Sequence, residues 1–164
     1  MTDRLLRGRC RRLPGHALTS SALEVGGSCR AAPAAAAELS LTRLDCGTAT
    51  IKNFDAFFSD RPGLYEKAPR EITDSCYLIR HGDQAMIWDT GFSAELKGQE
   101  RDMGELVARM DRTLVEQLAQ LGLKPEDVDI VGISHLHPDH TGQAAQFANA
   151  QLVIGKGDFE QTAG

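Results

Sequence analysis

The chain has four Cys in 164 residues but no Cys-x-x-Cys pair, which argues against a zinc knuckle or a thioredoxin-like redox motif. It has no run of 18 apolar residues, so no segment reads as a membrane-spanning helix. It also lacks a basic body. The first 37 residues hold six Arg against Asp3 and Glu24, so the remainder is more acidic than the net charge of −5 indicates. An acidic body argues against a nucleic-acid surface. Histidine is scarce as well, with five in the chain, yet three of the five fall in one short run.

Residues 1–37 read as a disordered basic arm or a degenerate export signal. Ala31 to Ala37 resembles the small-residue end of a secretory signal. Arg4 to Arg12, however, precede no clear apolar core of roughly 7–15 residues, so a working signal is not supported. As written the chain reads as cytoplasmic; a damaged signal would make it periplasmic or secreted. Residues 38–164 read as one domain, and a hydrophobic fraction of 41% suffices for a core. Cys46 and Cys76 lie in strand-like runs and read as small buried hydrophobes, since the Cys spacing matches no disulfide framework.

The histidine run is Ser134-His135-Leu136-His137-Pro138-Asp139-His140-Thr141-Gly142. Side chains at i and i+2 of an extended segment point the same way, so His135 and His137 can aim at one point. Pro138 holds His137 out of the helical region. Asp139 adds a hard oxygen donor, and His140, adjacent to it, is expected to diverge from the first pair. One pair facing one point and a second facing another implies two neighbouring ions. Nitrogen and oxygen donors without thiolate fit zinc best, with iron, manganese or cobalt as alternatives.

Context strengthens the motif. Val128 to Ile133 is an apolar run suited to a buried strand, and Thr141 to Ala150 is Ala-rich and compatible with a helix. The cluster therefore sits at the C-terminal end of a strand, where open α/β sheets place their sites. Leu39 to Cys46 reads as a first strand closed by a turn at Gly47. Ile72 to Arg80 and Gln84 to Asp89 read as a hairpin around His81-Gly82-Asp83, with His81 solvated in the turn. Phe54, Phe57 and Phe58 cluster in a loop that either plugs the core edge or forms an apolar lip. Ala94 to Gly98 reads as flexible loop. From about Arg101 to Leu121, Leu106, Met110, Leu114 and Leu118 recur at helical spacing and predict one amphipathic helix. Gln151 to Ile154 reads as a further strand.

His135-Leu136-His137-Pro138-Asp139-His140 resembles the HxHxDH signature of metallo-β-lactamase-fold hydrolases. Leu44-Asp45-Cys46-Gly47, Asp74 to Arg80 and Trp88-Asp89-Thr90-Gly91 are most similar to the N-acyl homoserine lactonase-like group. The resemblance runs from about Leu39 to Phe159 and implies an α/β (α+β) fold, an αββα sandwich, of which this chain would supply only the first half. It also implies a hydrolase that opens a lactone or related ester through a metal-bound hydroxide. His135 and His137 would hold one zinc, Asp139 and His140 the other, and Asp139 would also protonate the leaving oxygen. Asp89 would sit beneath the loop and fix the aim of His135 and His137.

Relatives complete such a site with a later His, a bridging Asp and a final His, whereas no His follows His140 here. The chain is therefore expected to be an N-terminal portion, and the two ions to belong to the complete protein. The alternatives are an inactive metal-binding fragment, or another hydrolase of the fold such as a thioester hydrolase or a β-lactamase. The expected partner is a small lactone or ester, with neither nucleic acid nor membrane.

Overall fold

The structure is a computed structural model, and it describes residues 37–162. The arm reading falls on residues outside that range, apart from Ala37. The backbone forms β1 (Leu39–Ile51), α1 (Phe54–Phe58), β2 (Arg70–His81), β3 (Gln84–Trp88), β4 (Gln99–Asp102), β5 (Leu106–Met110) and α2 (Leu114–Gln120). It continues through β6 (Ile130–Ile133), α3 (Pro138–Thr141), β7 (Gln151–Ile154) and α4 (Lys156–Thr162). Short 3-10 turns cover Ala94–Leu96, Pro125–Asp127 and Ala144–Gln146.

The strands build one mixed sheet of seven in the order β4-β5-β1-β2-β3-β6-β7. Pairing is antiparallel from β4 to β3 and parallel from β3 through β6 to β7. Strand side chains alternate between faces. Leu44, Cys76, Leu78, Ala85, Ile87, Val131 and Ile133 are buried together with Leu114 and Leu118 of α2. A second buried cluster joins Ala49, Ile51, Phe92, Leu96, Ala108 and Met110. The opposite side of the sheet is more open: Leu41 pairs with Ile79 and Trp88 with Tyr77, and Leu41 and Trp88 are exposed.

The hairpin β2–β3 closes with His81 opposite Gln84, and His81 is exposed in it. Several other expectations are corrected. The segment from Arg101 to Leu121 is not one helix but a β4–β5 hairpin followed by α2. Leu106 and Met110 fit a helical stripe, yet Leu106, Ala108 and Met110 equally fit one face of a strand. Gly104, at φ +91°, makes the hairpin turn that a helix would forbid. The helix starts only at Thr113, whose side chain and that of Glu116 form a reciprocal capping box.

The strand does not end at Gly47. β1 runs on to Ile51, with its register shifted between Asp45 and Gly47, so that Cys46 is the extra residue of a bulge. That bulge brings Cys46 beside Cys76, and the two form a disulfide with Cα atoms 5.8 Å apart. They are buried, as expected, but bonded, because pairing across two strands is invisible to local spacing. Phe54, Phe57 and Phe58 lie on the helical turn α1, capped by the Asn53 side chain, rather than in a loop. Thr141 to Ala150 is not a continuous helix but the end of α3 and the Ala144–Gln146 turn. Ala94 to Leu96 is a 3-10 turn capped by Ser93 rather than a featureless loop.

Gln117 of α2 replaces the missing strand partner at the bulge. Its Oε1 accepts from Asp45 N at 2.8 Å and its Nε2 donates to Asp45 O at 2.7 Å. Gln117→Leu should leave both main-chain groups unpaired and lower stability by about 1–3 kcal/mol, read as the urea midpoint. An unchanged midpoint would show that the bulge is not held by this amide.

Candidate metal centre

The site forms where the sheet changes from antiparallel to parallel. Because β3 and β6 are parallel, with Trp88 opposite Gly132, both strands deliver their following loops to the same sheet end. β3 delivers Asp89-Thr90-Gly91, and β6 delivers Ser134 to His140. Asp89 occupies the left-handed region at φ 59°, which a short polar side chain tolerates better than most. Its amide donates to Gly132 O at 2.8 Å.

Asp89 is buried, and its two oxygens reach both ends of the histidine loop. Oδ1 accepts from Ser134 N at 2.7 Å, and Oδ2 lies 2.9 Å from His140 Nδ1. Both contacts fall on the loop that bears His135 and His137, one immediately before that pair and one three residues beyond it. Further bonds staple the loop down. Thr90 N and Oγ1 both donate to His140 O, at 2.7 and 2.9 Å. Gly142 N donates to Gly91 O at 2.8 Å, and buried Gln143 donates from Nε2 to Thr90 O at 3.2 Å. Gly142 packs so closely on the backbone of Phe92 and Ser93 that any Cβ there would overlap it.

The histidines gather. His135 and His137 have ring centroids 4.5 Å apart, and His135 and His140 4.1 Å. His140 thus does not diverge from the first pair, because the single turn α3 carries it back toward His135. His135 Nε2 lies 3.0 Å from His137 Nδ1, and His140 Nε2 lies 3.6 Å from Asp139 Oδ2. Two donors on one tetrahedral zinc, at bond lengths near 2.0–2.1 Å, stand about 3.3 Å apart. The two pairs bracket that spacing, so each has the separation and chemistry to share a cation. Among the described residues, however, no three His, Cys, Asp or Glu side chains form a ready-made cage.

The orienting contacts suit donors. A carboxylate on His140 Nδ1 fixes the tautomer with the proton on that nitrogen and leaves the Nε2 lone pair toward Asp139. Ser134 Oγ, 3.1 Å from His135 Nδ1, can accept its proton and leave His135 Nε2 facing His137. The 3.0 Å between His135 Nε2 and His137 Nδ1 is then bridged by a proton on His137 Nδ1 in the metal-free protein, and a cation could take that proton's place.

One site residue is marked in the sequence only as the first of the Asp74 to Arg80 stretch, with no role attached. Asp74 of β2 lines a cleft with Asp139, His140, Ser75 and Phe92. Its Oδ2 is buried and, among the described residues, has no hydrogen-bond partner. Burial pushes its carboxyl up to about 7; His140 opposes that rise, and Asp139 and Asp89 add to it. A second cleft, lined by Phe92, Leu96 and Met103, borders Pro138, Thr141 and Gly142. Phe57 and Phe58 are in the lining of neither cleft.

With this geometry in view, the comparisons define the class. A family model for the metallo-beta-lactamase superfamily matches residues 71–154, and the chain belongs to that superfamily. Within it the chain is related to N-acyl homoserine lactonases over part of its length. It is 33% identical over 96 residues to the N-acyl homoserine lactonase AiiB of Agrobacterium fabrum, a match covering 54% of this chain and 35% of that one. It is 35% identical over 100 residues to the N-acyl homoserine lactonase AttM of Rhizobium johnstonii, covering 57% and 38%. The matched stretch thus spans little more than a third of these relatives.

Among solved structures, the fold matches a quorum-quenching N-acyl homoserine lactone hydrolase with TM-score 0.64 and 21% identity, over 76% of this chain and 49% of that one. The dizinc quorum-quenching lactonase AidC matches with TM-score 0.56 and 21% identity, over 77% and 45%. The fold is thus mixed α/β and that of the metallo-β-lactamase lactonases, over about half their length.

The raised Asp74 carboxyl has a signed consequence for the metal-free protein. An unfolded Asp ionises near 3.8, whereas the folded group holds its proton to about 7. Between those values the unfolded chain releases a proton that the folded chain keeps, so stability falls as pH rises. Asp74→Asn removes that loss. It should raise the unfolding free energy at pH 7.5 by on the order of 1–2 kcal/mol, the partial exposure of the group being allowed for, and change little at pH 4. Equal effects at both pH values would refute the assignment.

Proposed function

We propose that the chain is the N-terminal portion, residues 38–164, of a metal-dependent hydrolase that opens a lactone or related ester. The observation that carries this is the pair of donor contacts, 3.0 and 3.6 Å, within an HxHxDH run at the switch point of the sheet. Kinship with N-acyl homoserine lactonases supplies the substrate class. His135 and His137 would hold one divalent cation, and Asp139 and His140 the other, zinc being the best fit to the donors. Bound cations would supply Lewis acidity toward the carbonyl and lower the pKa of a water.

The chain's own residues do the rest. Asp89 anchors Ser134 and His140 and so sets where the imidazoles point. Ser134 Oγ orients His135. Asp139, half-buried at the mouth of the cleft, would take the proton that the attacking water gives up and pass it to the ring oxygen as the C–O bond breaks, leaving an alcohol and a carboxylic acid that ionises at neutral pH. Met103, exposed beside the loop, offers apolar surface for the non-reacting part of the substrate.

A second reading has its own support. Four donors over two ions leave two each, against the three that a catalytic zinc usually takes, and no three-donor cage exists among the described residues. On that reading the chain binds metal without turnover.

Ring opening of N-hexanoyl homoserine lactone, followed by acid release with zinc present, separates the two. The enzyme reading expects hydrolysis that a strong chelator abolishes and Asp139→Ala lowers by about 10²–10⁴-fold. Hydrolysis that survives both treatments overturns the metallo-hydrolase reading. Zinc binding without hydrolysis selects the second.

A further inference from the structure

We propose that Asp74 is a fifth donor of the metal centre and belongs to the Asp139–His140 cation. This rests on the metal-centre reading above, and the test below separates the two.

A carboxylate oxygen taken out of water needs a donor or a cation; left bare, it is among the costlier features a fold can carry. Asp74 takes a backbone hydrogen bond from Ser75, yet its Oδ2 stays buried and unpartnered among the described residues. The cleft that Oδ2 shares with Asp139 and His140 has no Lys or Arg in its lining. His140, the one lining side chain able to carry positive charge, commits Nδ1 to Asp89 and turns Nε2 toward Asp139. Asp74, Asp89 and Asp139 therefore crowd one imidazole. A divalent cation resolves both the crowding and the bare oxygen.

Strand register places Asp74 there. β2 is antiparallel to β3, with Tyr77 opposite Trp88, so the residues before Tyr77 lie at the same sheet end as those after Trp88. Asp74 also faces Gly47, just past the bulge, where the missing side chain makes room for Phe92, which lines the cleft. The donor count agrees. Asp139 and His140 alone give a cation two protein donors; Asp74, which lines the same cleft, would raise the set to three, two oxygens and one nitrogen, once the cation draws together side chains that are not preassembled in the metal-free chain. Such a set accepts zinc and tolerates manganese, iron and cobalt.

The test titrates the metal-free full chain with Co(II), following the visible ligand-field bands, and with Zn(II) against a competing chromophoric chelator. The wild-type protein is expected to take two equivalents. Asp74→Asn should weaken one equivalent by tenfold or more and leave the other within about twofold, while Asp74→Glu recovers part of the loss. His135→Ala should weaken the complementary equivalent. Far-UV circular dichroism confirms that the variants are folded.

Two tight equivalents in Asp74→Asn would overturn the assignment and leave the metal centre standing. Loss of both equivalents, unrecovered by Asp74→Glu, would mark a purely structural role and also overturn it. No Co(II) uptake by the wild-type chain would remove both readings. Unchanged metal binding combined with a change only in lactone KM would reassign Asp74 to substrate contact and overturn the donor role.

Discussion

Asp89 joins two strand ends through one carboxylate, and the site's geometry depends on that bridge. Its two oxygens take Ser134 N at 2.7 Å and His140 Nδ1 at 2.9 Å. The loop between those residues carries His135, His137 and Asp139, so its entry and exit are pinned by a single buried group. A buried carboxylate is acceptable only when its lone pairs are used, and here both oxygens are in use. The left-handed backbone at Asp89 belongs to the same device, because it turns the chain at the end of β3 so that the side chain faces β6. Thr90, Gly91 and Gln143 then fasten the outgoing side of the loop to the same turn.

The switch from antiparallel to parallel pairing explains why this happens at one end of the sheet only. β2 starts at the site end, and β3 and β6 both run toward it, parallel to each other. Acidic residues from distant parts of the chain therefore gather around His140: Asp74 of β2 and Asp139 after β6 line one cleft with it, and Asp89 after β3 is buried behind it. Brought together in water such groups repel one another, and a lower local dielectric strengthens that repulsion. The fold concentrates negative charge beside three imidazoles, an arrangement that favours a divalent cation over a neutral ligand.

Sequence patterns made the motif legible because its information is local. His135 to His140 lie within six positions, and the i, i+2 rule and Pro138 act on adjacent residues. The β2–β3 hairpin and the β6 and β7 segments were legible for the same reason. The stretch from Arg101 to Leu121 was misread because Leu106, Met110, Leu114 and Leu118 satisfy a period near four while Leu106, Ala108 and Met110 satisfy a period of two. Gly104 and the Thr113–Glu116 capping box were the local signals that decide between them. His140 was misplaced because one turn of helix, too short for a periodicity to register, rotates it back toward His135.

The disulfide and Asp74 were hidden for a different reason: both depend on register between distant strands. Cys46 reaches Cys76 only because a bulge inserts one residue into β1, and no spacing along the chain encodes a bulge. Asp74 opens the Asp74 to Arg80 stretch that carries the family resemblance, but its place in the site comes from lying opposite Gly47 and at the same sheet end as Asp89. The bulge links these features. It places Cys46 next to Cys76, exposes the Asp45 main chain that Gln117 satisfies, and sets Gly47 rather than a larger residue across from Asp74. A single added residue in β1 thus shapes the floor of the cleft as well as the core beneath it. A side chain at position 47 would run into the Arg109 carbonyl and into Phe92, the ring that lines the cleft beside Asp74, Asp139 and His140.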